Sequence, residues 1–279
     1  MLTRRNFLAS GAALLATSAL PRLSFGSDLA QKDFFSAAEN SIRMRRVLSG
    51  PWVLARGEVL RDLDIIIPQD FRRTPAQHAI TMHPEGNVIR NVRILFETTK
   101  WEDRWLLPYA DQPADLMTSY VDGLYLPAGT ANADIDGLHV EGSPRWGIEG
   151  WNVTNLRLKR FSATRCYGGA YFGEYRPTGQ SRQFDVDGVR IWDTWGPPGH
   201  YPSRVRPGGW VGGDAWVSEG DSMSLRRFEL TGEMYIGAKI CRGTFVTIRE
   251  MMTPTLMLQG SSAPDPALEG LRLVYITGL

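Results

Sequence analysis

The chain has 279 residues, 43% hydrophobic and 22% charged, and Lys+Arg 31 against Asp+Glu 30 leave a net charge of +1. These values exclude a disordered or collagen-like chain, and the missing basic excess excludes a dedicated nucleic-acid binder. Two cysteines, Cys166 and Cys241, make neither a disulfide framework nor a cysteine-rich zinc site, and no histidine pair has metal spacing, so no metal or cofactor is expected. Gly 29, Trp 9 and Tyr 9 are generous. Many turns and many large flat side chains predict an all-β protein with an aromatic binding surface.

At the N-terminus, Thr3-Arg4-Arg5-Asn6-Phe7-Leu8 resembles the twin-arginine (Tat) export motif. An apolar stretch from Leu8 to Leu20 follows, and Ser24 and Gly26 are the small residues of a cleavage site. This predicts a signal peptide over 1–26, the Tat translocase as a partner during export, and work in the periplasm or outside. No later segment reaches about 18 apolar residues, so no membrane span is expected in the mature protein. Within the next stretch, 27–49, Leu29, Phe34, Phe35, Ala38 and Ile42 lie near helical spacing with Asp28 as N-cap. They predict a short helix over 29–48.

From residue 50 the helical period gives way to short apolar–x–apolar strands. One type reads Val92-Arg93-Ile94, Leu138-His139-Val140, Leu156-Arg157-Leu158, Val189-Arg190-Ile191, Phe228-Glu229-Leu230, Val246-Thr247-Ile248 and Leu271-Arg272-Leu273. Asn91, Gly137, Asn155, Gly188 and Gly270 precede five of them and tolerate the left-handed backbone of a sharp bend. A second type interleaves, with predicted inward residues Ile80, Leu124, Ile148, Ala170, Ala215, Ala238 and Leu256. A repeat of roughly 18–24 residues, twice stretched by insertions, predicts a solenoid in which each coil buries its apolar positions against the next.

Val121-Asp122-Gly123-Leu124-Tyr125-Leu126, Gly147-Ile148-Glu149-Gly150-Trp151-Asn152-Val153-Thr154-Asn155-Leu156 and Asp187-Gly188-Val189-Arg190-Ile191 resemble the coils of the pectin lyase-like superfamily. The resemblance covers residues 50–279 and implies a single right-handed parallel β-helix of about 7–8 coils. It also implies that the helix of residues 27–49 caps the open end of the core. Members acting on polysaccharides place catalysis on the outer face of the second strand type.

Stacking converts these repeats into columns about 4.8 Å apart per coil. Outward on the second strand type stand Thr81, Tyr125, Glu149, Tyr171, Trp216, Lys239 and Met257, edged by Asp122, Arg145, Trp146, Arg165, Tyr167 and Asp214. On the first type the column reads Arg93, His139, Arg157, Arg190, Glu229, Thr247 and Arg272. Asp136, Asp187 and Glu269 are expected to pair with its arginines. Two insertions, 98–120 and 193–213, interrupt the coils; the second carries Trp195, His200, Tyr201, Arg204, Arg206 and Trp210. Loops on rigid scaffolds commonly hold specificity, and their rings suit stacking on sugar faces.

The hydrolase and calcium-dependent lyase signatures of the resembled superfamily are absent. The expected function is an exported, carbohydrate-active protein acting on an acidic polysaccharide, as lyase or epimerase before hydrolase. β-Elimination needs a carboxylate neutraliser, a base and an acid. Arg165 or Arg145 would neutralise, Lys239 serve as base and Tyr171 as acid. A hydrolase would pair Glu149 with Asp122 or Asp214. Trp216, Trp146, Tyr125, Trp195, His200, Arg204 and Trp210 would bind sugar. The rival is a non-catalytic polysaccharide-binding or envelope-scaffold protein.

Overall fold

The computed structural model describes residues 43–68, 71, 78–97, 121–174, 181–194, 214–232, 234, 236–241, 246–259, 272–273 and 276–277. Among these residues the chain is all-β, and its strands form two parallel sheets. The first holds β1 (Met44–Val47), β3 (Val59–Ile67), β5 (Val88–Phe96), β7 (Asp134–Glu141), β9 (Thr154–Thr164), β11 (Arg182–Trp192), β13 (Asp221–Thr231), β15 (Thr247–Met252) and β17 (Arg272–Leu273), with β18 (Ile276–Thr277) also on β15. The second holds β2 (Trp52–Val53), β4 (Ile80–Thr81), β6 (Leu124–Leu126), β8 (Trp146–Trp151), β10 (Gly168–Gly173), β12 (Trp216–Glu219), β14 (Ala238–Cys241) and β16 (Leu256–Gln259). From β1 to β17, consecutive strands alternate between the sheets, and each pairs with the strand two places on. Repeats therefore touch mainly their neighbours, an order that fits a parallel β-helix. No helix of the described residues is long and apolar enough to cross a membrane.

The long strands turn where left-handed backbone permits it. Asp62, Asn91, Gly137, Arg160, Gly188, Arg227 and Glu250 fall in one column by register and all have positive φ. A second column is Asn132, Asn155, Gln183 and Ser222; a third is Gly142, Arg165, Asp193 and Gly232. Left-handed backbone disfavours most side chains by about 1–2 kcal/mol, and short amides offset this by bonding along the column. Asn155 Nδ2 donates to Asn132 Oδ1 at 2.6 Å, and Asn91 Nδ2 to Asp62 Oδ1 at 2.5 Å.

Entry into the short strands demands small residues instead. Ala79, Gly123, Gly147, Gly169, Ala215 and Gly237 form a column where successive rungs touch. A Cβ on Gly147 would lie 2.7 Å from the Gly169 carbonyl oxygen, and one on Gly169 2.4 Å from that of Ala215. Just inside, Ile80, Leu124, Ile148, Ala170 and Ala238 stack in register and are fully buried. Phe172, Trp216 and Phe228 continue the core as a packed aromatic run, with centroids 5.5 and 4.9 Å apart. Cys166 and Cys241 are free and buried, and burial pushes the Cys166 thiol up to about 12.

Three expectations need correction. Met44–Val47, predicted as the end of a helix, pairs along the open edge of β3, and its side chains are exposed. Here the backbone edge decides, not the apolar spacing upstream; residues 29–42 lie outside the described residues. Trp216, not Ala215, stands in register with Ala170 and Ala238, so Val217 takes the outward place assigned to Trp216. Residues 214–217 are buried or half-buried throughout, so no in–out alternation marks the phase. Finally, Leu156-Arg157-Leu158 lies before the bend of β9. Phe161-Ser162-Ala163, after the bend, pairs with Leu138–Val140 and Val189–Ile191. Arg157 therefore belongs with Asp134 and Asp185, and the arginine column is two columns.

Candidate functional site

The outer side of the short-strand sheet brings an acid pair into the protein. Asp122 lies two residues before Leu124, in the row that His78 and Trp146 occupy before Ile80 and Ile148. Glu149 follows Ile148 and points outward between Tyr125 and Tyr171 in register. Asp122 is 0% exposed and Glu149 1%. Their ligand atoms and that of His78 lie within 4.8 Å of one another.

Each carboxyl is held by several donors. Asp122 Oδ1 accepts the Trp146 backbone N–H at 3.0 Å, and its Oδ2 lies 2.5 Å from His78 Nδ1. Tyr125 stacks on the His78 ring with centroids 3.9 Å apart. Glu149 Oε1 accepts Trp151 Nε1–H at 2.9 Å and Arg145 Nη2–H at 3.0 Å. Arg145 Nη1 lies 2.7 Å from Glu149 Oε2 and 3.3 Å from Asp122 Oδ2. The Arg145 side chain is 35% exposed, so its guanidinium joins the buried acids to solvent.

Burial raises both acids above the usual carboxylate range. For Glu149, burial, then the charge of Asp122 and the hydrogen bond to it, outweigh Arg145 and push it up to about 8. Asp122 is also raised by burial, but its bond from Glu149, the Arg145 charge and the Trp146 N–H oppose that. Burial thus favours the neutral form of both carboxyls, and most clearly that of Glu149. Tyr171 is raised by its burial and then by Glu219 and Glu149; Tyr125 by its burial and then by Glu149 and Asp122. Both phenols stay neutral. A divalent cation on His78, Asp122 and Glu149 would have to displace the Arg145 guanidinium.

Of the expected site residues, the structure gathers Asp122, Glu149, Tyr125, Trp146 and Tyr171. Trp146 and Tyr171 pack with centroids 5.2 Å apart, and Trp146 lies over Gly168, where a Cβ would meet its ring. Lys239 is outward in the same column but three rungs beyond Glu149, about 14 Å along the sheet. Asp214 begins the rung after Tyr171. Arg165 sits in the third left-handed column, tied to Glu141 of β7, and so leaves the neutralising place to Arg145. Trp216 is turned into the core, 0% exposed, with its indole N–H on Ser218 Oγ at 3.1 Å, and offers no surface to a sugar. Trp195, His200, Arg204 and Trp210 lie outside the described residues, as does the 98–120 insertion. His78 and Trp151 are additions. His78 was legible as the residue two places before a predicted strand, the offset of Asp122.

No family model, curated protein or solved structure matches this chain.

Proposed function

We propose that the chain is an exported, carbohydrate-active enzyme that cleaves or epimerises an acidic polysaccharide by proton transfer at His78 and Glu149, with Asp122 holding His78. The observation that carries this is a buried Glu149 carboxyl, whose proton burial holds, gathered with the His78 imidazole and the Asp122 carboxyl beside the Arg145 guanidinium. Such groups act as general acid and general base without a change of pH. In β-elimination, Arg145 neutralises the uronate carboxylate and acidifies the C5 proton. His78, held through Nδ1 by Asp122, takes that proton. The electron pair forms the C4–C5 double bond as the C4–O bond breaks, and Glu149 protonates the leaving oxygen. In epimerisation His78 keeps the C5 proton it took, Glu149 delivers another to C5 from the opposite face, and the C4–O bond stays intact. The acid pair lies closer than the roughly 5–9.5 Å that glycoside hydrolysis requires, which disfavours the hydrolase reading.

The two stacked parallel sheets support the wider reading, a right-handed β-helix of the pectin lyase-like kind with about 7–8 coils and a capping segment before Arg43. Thr3-Arg4-Arg5-Asn6-Phe7-Leu8 supports Tat export to the periplasm or beyond. The test is incubation of the protein with a panel of uronate polymers, following the ultraviolet absorbance of unsaturated products and, by NMR, inversion at C5. Turnover by the wild type, lost about 100-fold or more in folded Glu149→Gln, is expected. A folded wild type that binds uronate polymers and changes none of them would overturn catalysis and leave the non-catalytic binding protein.

A further inference from the structure

The long-strand sheet carries a second concavity, away from the acid pair. Its volume is about 440 Å³ and its walls include Arg43, Arg93, His139, Arg160, Arg190 and Trp192. The register explains the clustering. After the bend in each long strand, the outward row reads Asp64, Arg93, His139, Ser162, Arg190, Glu229 on successive strands. The acids stand at the two ends and the arginines stand inside them. Arg93 Nε lies 3.4 Å from Asp64 Oδ1, and Arg190 Nε donates to Glu229 Oε2 at 2.9 Å. Between the arginines stand His139 and Ser162, with Nδ1 and Oγ 2.9 Å apart; His139 Nε2 lies 3.6 Å from Oε2 of Glu141, which also lines the cleft. Arg93 and Arg190 thus stand three rungs, about 14 Å, apart in the row.

Two further arginines reach the same hollow. Arg160 stands in the left-handed column between Gly137 and Gly188, neither of which has a side chain to cover it. Its Nη2 lies 3.8 Å from where a Gly137 Cβ would be. Arg43 is nearly buried and is fixed by Asn91 Oδ1, at 2.6 Å from Nη2. Arg93 Nε is a buried donor without a hydrogen bond, since Asp64 lacks the geometry to accept it. One row on, Trp192 stacks near His139 with centroids 6.0 Å apart and forms a flat apolar wall.

We infer that this cleft binds a negatively charged sugar unit: the guanidiniums take its carboxylate or sulfate, and the Trp192 ring takes its apolar face. Planar N–H forks match such anions, and an indole wall adds what a free inorganic anion cannot use. The inference does not depend on the acid pair, because the cleft lies on the other sheet. It gives the chain a second hold on an anionic glycan, independent of turnover.

The test is titration calorimetry of the full chain with short oligouronates, a sulfated oligosaccharide, a neutral oligosaccharide of equal length and inorganic sulfate. Binding of an anionic oligosaccharide that weakens with salt is expected. So is a loss of about tenfold or more in Arg190→Gln and in Arg93→Gln. Arg226→Gln, on the same sheet but outside the cleft, should bind as the wild type does, which separates the cleft from the general positive charge of the sheet. Hydrogen exchange guards against misfolded variants: the ligand should protect residues 137–141, 160–164 and 188–192 in the wild type. Equal binding of the neutral sugar, equal binding of sulfate alone, unchanged affinity in both arginine variants, or protection confined to the short-strand sheet would each overturn the inference.

Discussion

On the short-strand sheet Asp122 and Glu149 are almost wholly out of water. On the long-strand sheet the acids Asp64, Glu141 and Glu229 keep 27%, 30% and 25% of their side chains exposed. Both faces are built from the same parallel ladder with the same rung spacing. On the long-strand face most arginines pair with a single carboxylate on a neighbouring strand, as Arg160 does with Asp136 at 2.6 Å and Arg227 with Asp187 at 2.7 Å. On the short-strand face one guanidinium serves two acids, and desolvation raises both above the usual carboxylate range. Depth below the surface, more than residue type, separates a charge-paired surface from a site that moves protons.

The hardest test of that contrast is a carboxylate buried without partners. Val189 is fully buried in the hydrophobic core. Val189→Asp should destabilise by several kcal/mol, enough to unfold the chain at moderate temperature in a thermal melt. Trp216→Ala should follow, with a loss of about 3–5 kcal/mol in urea denaturation, since the indole fills the core between Phe172 and Phe228. A change below about 1 kcal/mol would place Trp216 outside the core and restore it as a surface anchor.

Most of the strand framework was legible because its code is local. Apolar alternation in Val92–Ile94 or Val189–Ile191 names the buried face, and Asn91, Gly137 and Gly188 announce the bends. Phase within a densely buried strand was not legible. Asp214 to Val217 lacks alternation, and β9 contains two apolar–x–apolar segments of which only the first fits the simple pattern. The acid pair was half legible. Glu149 and Asp122 were visible as an outward acid and an edge acid, and Arg145 as a candidate neutraliser. Their depth was not, because it arises from Tyr125, Trp146 and Tyr171 packing across three rungs.

The contrast sharpens with pH. Glu149 holds its proton up to about pH 8 in the folded state, but only to its ordinary value of 4.5 when unfolded. The folded state therefore binds more protons between those limits. The stabilising contribution is full below about pH 4.5 and is lost as the pH rises through about 8, at up to about 1.4 kcal/mol per pH unit. Urea melts at about pH 5, 7 and 9 should show this decline, and Glu149→Gln should flatten it. A wild-type stability that rises across the same window would reverse the assignment. The smallest effect belongs to the exposed ladder. Arg226→Gln, which breaks a pair with Asp185 at 2.5 Å in which both partners are well exposed, should change stability by about 0–1 kcal/mol. A larger loss would mean that the surface ladder, too, is worth what buried pairs are.

The central claim is that burial keeps the Glu149 carboxyl protonated at neutral pH. Carbon-13 NMR of side-chain carboxyls in glutamate-labelled protein, with Glu149→Gln to assign the signal, tests it directly. The account predicts a Glu149 carboxyl that is protonated at pH 6 and titrates near about 8. A signal that is already ionised at pH 6 and titrates near the ordinary value would contradict it.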